Sequence, residues 1–286
     1  MKLLIITDSD LDGAGAALHI KWVFPKAKID IVEIVADKYF DSVVRGLKLD
    51  KYDRIFITDL TIPDSLLELL DIPKVTILDH HLSHIEVRDR YKQAAVYLGE
   101  ETSTVKLLKY CIPNDKMTAE QLQLMDIIDD YDQYSLKYPD SLKLNSIFQS
   151  LNRPKVNKFV EMFSNGFRPY NNLEQGMINI YFKRFKEQLE NIQFYRGVIN
   201  DKVWVSFMCQ SSPNELAQYA LRKYGADICL IVYPQFETVS LRKRKDCDTP
   251  LHRLAEVLCD GGGHAYAAGG QLTGRVKQLT TKLQPC

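Results

Sequence analysis

The chain carries no net charge, its 286 residues holding 37 Lys+Arg and 37 Asp+Glu. That balance removes any bulk pull toward DNA or an anionic membrane, so phosphate contacts are expected to be few and local, as a short oligonucleotide needs. Long apolar runs are also missing. No stretch approaches the ~18 residues of a membrane span. The four apolar residues after Lys2 are too short for a signal-peptide core. The six cysteines (Cys111, Cys209, Cys229, Cys247, Cys259 and Cys286) include no C-x-x-C pair and no zinc-ligand spacing with histidine, so they are expected to be reduced core residues. There is no internal repeat and no low-complexity tract. These absences point to a soluble, cytoplasmic protein without a membrane partner. They indicate no protein partner and leave the oligomeric state open.

Hydrophobic content of 45% and charged content of 26% are ordinary for a globular protein, and the length suffices for two cores. In the first half, apolar runs at Leu3–Thr7, Ile29–Val35, Arg54–Thr58 and Val75–Leu78 predict buried strands. Between them, helical patterns fall at Ala14–Val23, Phe40–Leu47 and Pro63–Leu70. This alternation predicts βαβ units and a parallel sheet, whose ligands bind at the carboxyl ends of the strands. Helices are predicted at Thr104–Cys111, Ala119–Asp130 and Leu173–Tyr195, the last a long polar connector. After it come strands at Lys202–Cys209, Ile228–Tyr233 and Phe236–Arg242, the last two able to pair as a hairpin, and a helix from Pro213 to Tyr224.

Three segments carry chemistry. Thr7-Asp8-Ser9-Asp10-Leu11-Asp12-Gly13-Ala14-Gly15 puts three carboxylates in five residues just past the first strand. Asp is a good N-cap, but a cap needs one Asp and not three; Asp8, Asp10 and Asp12 can converge on hard divalent cations. Asp79-His80-His81 follows another strand and offers an oxygen ligand beside imidazole nitrogens, a mix suited to Mn²⁺. Asp59 closes the strand between them. Alone it reads as a helix cap; placed there, it is a candidate bridge between two cations ~3.5–4 Å apart. The third segment, Gly261-Gly262-Gly263-His264 with the small residues through Gly270, suits backbone approach to an oxyanion. The residues after His264 are expected to form a short helix pointing its positive end the same way. Upstream, Arg242 is the candidate for a bidentate phosphate contact.

Together and in this order, these segments resemble the DHH phosphoesterase superfamily, in the branch with a DHH-associated C-terminal domain carrying Gly-Gly-Gly-His. The resemblance covers essentially the whole chain. It is nearest to the oligoribonucleases (nanoRNases) and more distant to RecJ-type exonucleases. It implies an α/β fold with a parallel-sheet DHH domain (1–150), a helical linker (151–195) and a smaller α/β substrate-binding domain (196–286). It also implies two Mn²⁺ ions, with Mg²⁺ as an alternative because Asp8 stands where many relatives have His. Their ligands would be Asp8, Asp10, Asp12, Asp59, His80 and one acid of the segment 126–132. Asp132 is favoured there, because Tyr131-Asp132-Gln133-Tyr134 resembles the nanoRNase motif; Asp129 and Asp130 stay open. Asp10, Asp59 and His81 would be catalytic, His81 binding the scissile phosphate or assisting protonation of the leaving group. Arg242, Gly262, Gly263, His264 and Asn214 would hold substrate. Relatives often have Ser where this chain has Lys243, so that grip is expected to differ.

The implied activity is two-metal hydrolysis of short oligonucleotides, RNA or DNA, to nucleoside monophosphates, with closure between the domains. The alternatives are a RecJ-like single-strand exonuclease, a hydrolase of cyclic or linear dinucleotides or phosphoadenosine phosphate, and, outside enzymes, an inactive binding scaffold.

Overall fold

A computed structural model of the chain describes residues 1–35, 37–81, 84, 88–99, 102–209, 213–263 and 266–286. It divides into two compact units, Met1–Tyr181 and Phe182–Cys286.

The first unit is built on β1 (Lys2–Asp8), α1 (Leu11–Val23), β2 (Lys28–Ile34), α2 (Asp37–Arg45), β3 (Arg54–Thr58), α3 (Leu67–Leu70), β4 (Val75–Asp79) and β5 (Ala95–Leu98). The five strands form one parallel sheet in the order β2-β1-β3-β4-β5. Leu3, Leu4, Ile5 and Ile6 of β1 are wholly buried. A continuous apolar run is what a parallel strand covered on both faces requires. On one face Leu4, Ile6, Ile55, Ile57, Val75 and Ile77 pack with Phe40, Val44, Leu66 and Leu70. Over the other lies α1, buried along its length from Leu11 to Ile20. It is not an amphipathic surface helix because it is enclosed in turn by α4 (Thr104–Cys111), α5 (Ala119–Asp132) and α7 (Lys155–Met162). Between the last two lies α6 (Asp140–Ser150). Gly15 permits that enclosure, since a Cβ there would lie 2.4 Å from Val105 Cγ2 and 2.8 Å from Ile128 Cδ1.

In a sheet of this order the chain reverses direction between β1 and β3, and the crevice at that switch point receives ligands. Asp8 ends β1 and Asp59 follows β3. The fold therefore sets two acids astride the opening. The predicted Pro63 helix is a 3₁₀ turn (Asp64–Leu66) leading into the single turn of α3. β5, short and at the sheet edge, left no alternation in the sequence long enough to read.

The predicted connector is α8 (Asn172–Asn191), which spans the division between the units. It stops short of Tyr195 because Tyr195 opens β6 (Tyr195–Ile199), paired antiparallel with β7 (Lys202–Met208). The rest of the second unit comprises α9 (Pro213–Lys223), β8 (Ile228–Tyr233), β9 (Thr238–Lys243), α10 (Leu251–Cys259), β10 (Gly262–Gly263), β11 (Ala267–Gln271), α11 (Gly274–Thr280) and β12 (Gln284–Pro285). Its sheet runs β10-β11-β9-β8-β7-β6-β12, with β7 and β8 parallel and the other pairs antiparallel. The β8–β9 hairpin is present. The short helix expected after the glycine segment is not: the small residues form β11 instead. Added Cβ atoms at Gly269 and Gly270 would lie 2.7 Å from the Val239 carbonyl oxygen and 2.3 Å from that of Cys259. These glycines let a strand press against β9 and α10, and tertiary contact outweighs local preference.

The two helical glycines should respond oppositely to alanine. Gly15→Ala should destabilise the protein by about 1–3 kcal/mol through overpacking. Gly176→Ala in α8, where a Cβ meets nothing within 4 Å, should stabilise it by about 0.5–1 kcal/mol. Urea unfolding of both variants checks the contrast.

Candidate metal centre

The acids of the first segment are each held by backbone N–H groups. Asp8 Oδ1 accepts from the Ser9 N–H at 2.7 Å. Asp10 caps α1, accepting from the Gly13 N–H at 2.8 Å. Gly13 is obligatory in that turn, since a Cβ would stand 2.4 Å from the Asp8 carbonyl oxygen. Asp12, 1% exposed, accepts from Thr104 N–H (2.7 Å) and Val105 N–H (3.0 Å) at the start of α4. Its negative charge suits that helix N-terminus. Asp59 is buried in the left-handed backbone region, φ 58°. That conformation is costly for a residue with a Cβ, though Asp tolerates it better than most. It turns the Asp59 side chain toward the histidines after β4.

His80 is the hub. Its Nε2 lies 3.2 Å from Asp59 Oδ1 and 3.8 Å from Asp12 Oδ2, and its Nδ1 lies 3.8 Å from Asp132 Oδ2. Among the described residues, three sets of donor atoms, each mutually within 4.8 Å, result: Asp8/Asp10/Asp59, Asp12/His80/Asp132 and Asp59/His80/His81. Asp59 and His80 each belong to two of them. Asp132, the last residue of α5, is the acid of its segment that turns to His80. Asp129 instead accepts from the Ser103 hydroxyl at 2.8 Å and lies 3.6 Å from the Lys106 ammonium. Asp130 accepts from Lys137 N–H (3.0 Å), Tyr138 N–H (3.0 Å) and the Ser141 hydroxyl (2.6 Å), closing the turn after α5.

The electrostatics fit a centre made for cations. Burial, then repulsion from Asp132 and Asp10, pushes the Asp12 carboxyl well above the usual range. Burial, then repulsion from Asp10, Asp12, Asp8 and Asp132, does the same to Asp59. Asp132 is also raised, first by burial, with attraction to His80 partly opposing. Acids crowded this way resist ionisation together, and hard divalent ions coordinated by carboxylates and imidazole relieve the repulsion. The donor set thus fits Mn²⁺ or Mg²⁺.

Asp79 departs from the sequence reading. It stands outside the three donor sets and ligates histidines instead. Its Oδ1 accepts from His81 Nδ1 (2.6 Å) and the His80 N–H (2.8 Å), and its Oδ2 from His84 Nδ1 (2.7 Å). Burial would raise the Asp79 carboxyl, but His81 and His84 outweigh it and hold it below the usual range. Conversely, burial opposes the charged form of His81, yet Asp79 wins and pushes its pKa up to about 9. His84, which the sequence presents as incidental, is fully buried, with Nε2 2.6 Å from the Tyr91 hydroxyl. No spacing rule could have paired these two residues.

In the second unit, two predicted substrate residues meet: Arg242 Nε donates to Asn214 Oδ1 at 2.9 Å, joining β9 to α9. Cross-strand register sets Arg242 opposite Ala267, Ser240 opposite Gly269, and Gly269 opposite Gly262. A Cβ on Gly262 would meet nothing within 4 Å, whereas Gly263 has φ 132° and would strike the Ala267 carbonyl oxygen at 2.7 Å. His264 lies outside the described residues. Lys243 faces the opposite side of β9 from Arg242, as strand alternation dictates. Nearly buried, it donates to the Cys247 and Thr249 carbonyl oxygens, both at 2.8 Å, and sits 4.8 Å above the Tyr266 ring. It secures the loop before α10.

No family model matches the chain, and no curated protein matches it. Among solved structures, it is similar to the pGpG-specific phosphodiesterase PggH of Vibrio cholerae, at 17% identity and TM-score 0.59, over 99% of this chain and 97% of that one. It is similar to an exopolyphosphatase-related protein of Bacteroides fragilis at 16% identity and TM-score 0.55, over 98% and 91%. RecJ of Thermus thermophilus, in complex with Mn²⁺, aligns at 13% identity and TM-score 0.60, over 99% of this chain but 53% of RecJ, so the chain spans about half of that protein. The chain shares the fold of these structures, built here as a parallel-sheet unit and a mixed-sheet unit. No helix among the described residues is long and apolar enough to cross a membrane.

Mn²⁺ added to chelator-treated protein should raise its melting temperature, a gain equivalent to about 2.7 kcal/mol at about 100 times Kd. Asp132→Ala should abolish the gain and Asp129→Ala retain it. In the metal-free protein, His81 contributes stability present below about pH 6.5 and lost as pH rises toward its folded value, and the raised carboxyls act in the same direction from about pH 4 upward. The urea midpoint should therefore fall between about pH 6 and about pH 9. A flat or rising midpoint would contradict this charge assignment.

Proposed function

We propose that the chain is a two-metal phosphodiesterase that hydrolyses short oligonucleotides or dinucleotides to nucleoside monophosphates. The observation that carries the reading is the sharing of Asp59 and His80 among three donor sets, an arrangement suited to two neighbouring divalent ions. Asp8, Asp10 and Asp59 would hold one ion; Asp12, His80 and Asp132, with Asp59 between, the other. Such ions, when bound, neutralise phosphoryl oxygens and activate water near neutral pH.

The chain's own groups do the rest. Backbone N–H groups fix the orientations of Asp8, Asp10 and Asp12, so the centre is arranged before substrate arrives. His81, whose Nδ1 is bound to Asp79, can hold a phosphoryl oxygen or, when protonated, give a proton to the leaving oxygen through Nε2. Arg242, oriented by Asn214, supplies a charged donor for a second phosphate. Gly262 leaves room for a ligand against the backbone.

Substrate length follows from charge. A balanced chain suits two or a few phosphates better than a long strand. The extended likeness to PggH, over nearly the full length of both chains, favours a linear dinucleotide such as pGpG. Manganese as the working ion and a cytoplasmic location belong to the same proposal.

With Mn²⁺, a 5′-labelled dinucleotide should be cleaved rapidly and a single strand of about 25 nucleotides slowly. Asp10→Ala should reduce turnover by at least about a thousandfold. Comparable degradation of the long strand would move the chain to the RecJ-like reading, and a protein that binds no metal would be a scaffold. Arg242→Ala should raise KM about tenfold with little change in kcat; a fall in kcat alone would contradict its role in substrate binding.

A further inference from the structure

Behind His81 lies a buried polar chain that the hydrolytic reading does not itself require. Asp79 and His84 are both fully buried. A carboxylate only accepts hydrogen bonds, so the imidazoles meeting it at 2.6 Å and 2.7 Å both carry hydrogen on Nδ1. His84 Nε2 then meets the Tyr91 hydroxyl at 2.6 Å, with the two rings edge to face at 5.6 Å. Besides His84, Asp79 Oδ2 has the Thr61 hydroxyl at 3.5 Å, too long to hold a buried carboxylate. Without His84 the Asp79 oxygen would lose its strong donor, and a buried charge short of hydrogen bonds moves or neutralises.

We propose that His84, backed by Tyr91, is a positioning residue: it holds Asp79 so that His81 keeps its Nδ1–H on that carboxylate and presents Nε2 to the centre. Outer partners of this kind orient the residues that do chemistry, and their loss typically costs 10–100-fold. His84 reaches the reaction through Asp79 and His81, two hydrogen bonds in series. Its catalytic consequence rests on the phosphodiesterase reading, whereas its hold on His81 does not.

The test uses the full chain with His84→Leu, His84→Asn and Tyr91→Phe, and with His81→Ala and Asp10→Ala in parallel. In chelator-treated protein, ¹⁵N-edited NMR of the imidazoles should show the His81 Nδ1–H as a slowly exchanging signal. The signal should persist in His84→Asn, whose amide replaces the Nδ1–H donor, exchange faster in Tyr91→Phe, and vanish in His84→Leu. With Mn²⁺ and a dinucleotide, His84→Leu should lower kcat about 10–100-fold at nearly constant KM. His84→Asn should restore kcat to within about threefold.

An unchanged His81 signal in both His84→Leu and Tyr91→Phe overturns the proposal. So does a kcat in His84→Asn as low as in His84→Leu. Should His84→Leu fail to fold, Tyr91→Phe decides: faster exchange at His81 supports the proposal and unchanged exchange overturns it. If Asp10→Ala and His81→Ala retain turnover, the reading of the centre fails, while the NMR result still decides whether His84 holds His81.

Discussion

Mutual repulsion among carboxylates at the β1–β3 switch point is the constraint on which this structure turns. Asp8, Asp10, Asp12, Asp59 and Asp132 converge where a parallel sheet opens, three of them with carboxyls pushed above their usual range by burial and by one another. Such crowding persists only if the scaffold over-determines it. Here the scaffold is a sheet buried on both faces and a central helix enclosed by three others. The glycines at 13 and 15 serve that enclosure: one lets the acidic turn close on Asp8, and the other lets α1 approach α4 and α5.

The same centre shows two ways of managing buried charge. Acids facing the donor sets repel one another and are left for cations to neutralise. Asp79, at the end of the neighbouring strand, is surrounded by donors instead and stays ionised. Three strand-end acids of one sheet thus differ in role through their surroundings rather than their position in the sequence. Two fit metal ligands, and the third organises histidines.

In the second unit, strand alternation makes a comparable division. Arg242 and Lys243 are adjacent, yet one meets Asn214 and the other is buried against two carbonyl oxygens and Tyr266. A run of basic residues therefore splits into one joined to Asn214 and one that fastens a loop. Lys243 lies on the side of β9 away from Arg242.

Much of this was legible in the residues. Continuous apolar runs marked β1, β3 and β4, because strands buried on both faces must be apolar throughout, and each run ended in an acid. The motif order then pointed to the fold. Other features were out of reach. The exchange of a helix for β11 depended on backbone contacts with β9 and α10. The motif resemblance favoured Asp132, but where Asp129 and Asp130 turn depended on the rotation of α5, and the partnership of His84 with Tyr91 on a contact that no spacing rule specifies. The sequence by itself determined the chemical groups available and the strand ends that carry them, since hydrophobic periodicity is local. Only the tertiary structure decided which acids repel, which are satisfied and which histidine supports another, because hydrogen bonding and desolvation depend on neighbours that chain order does not specify.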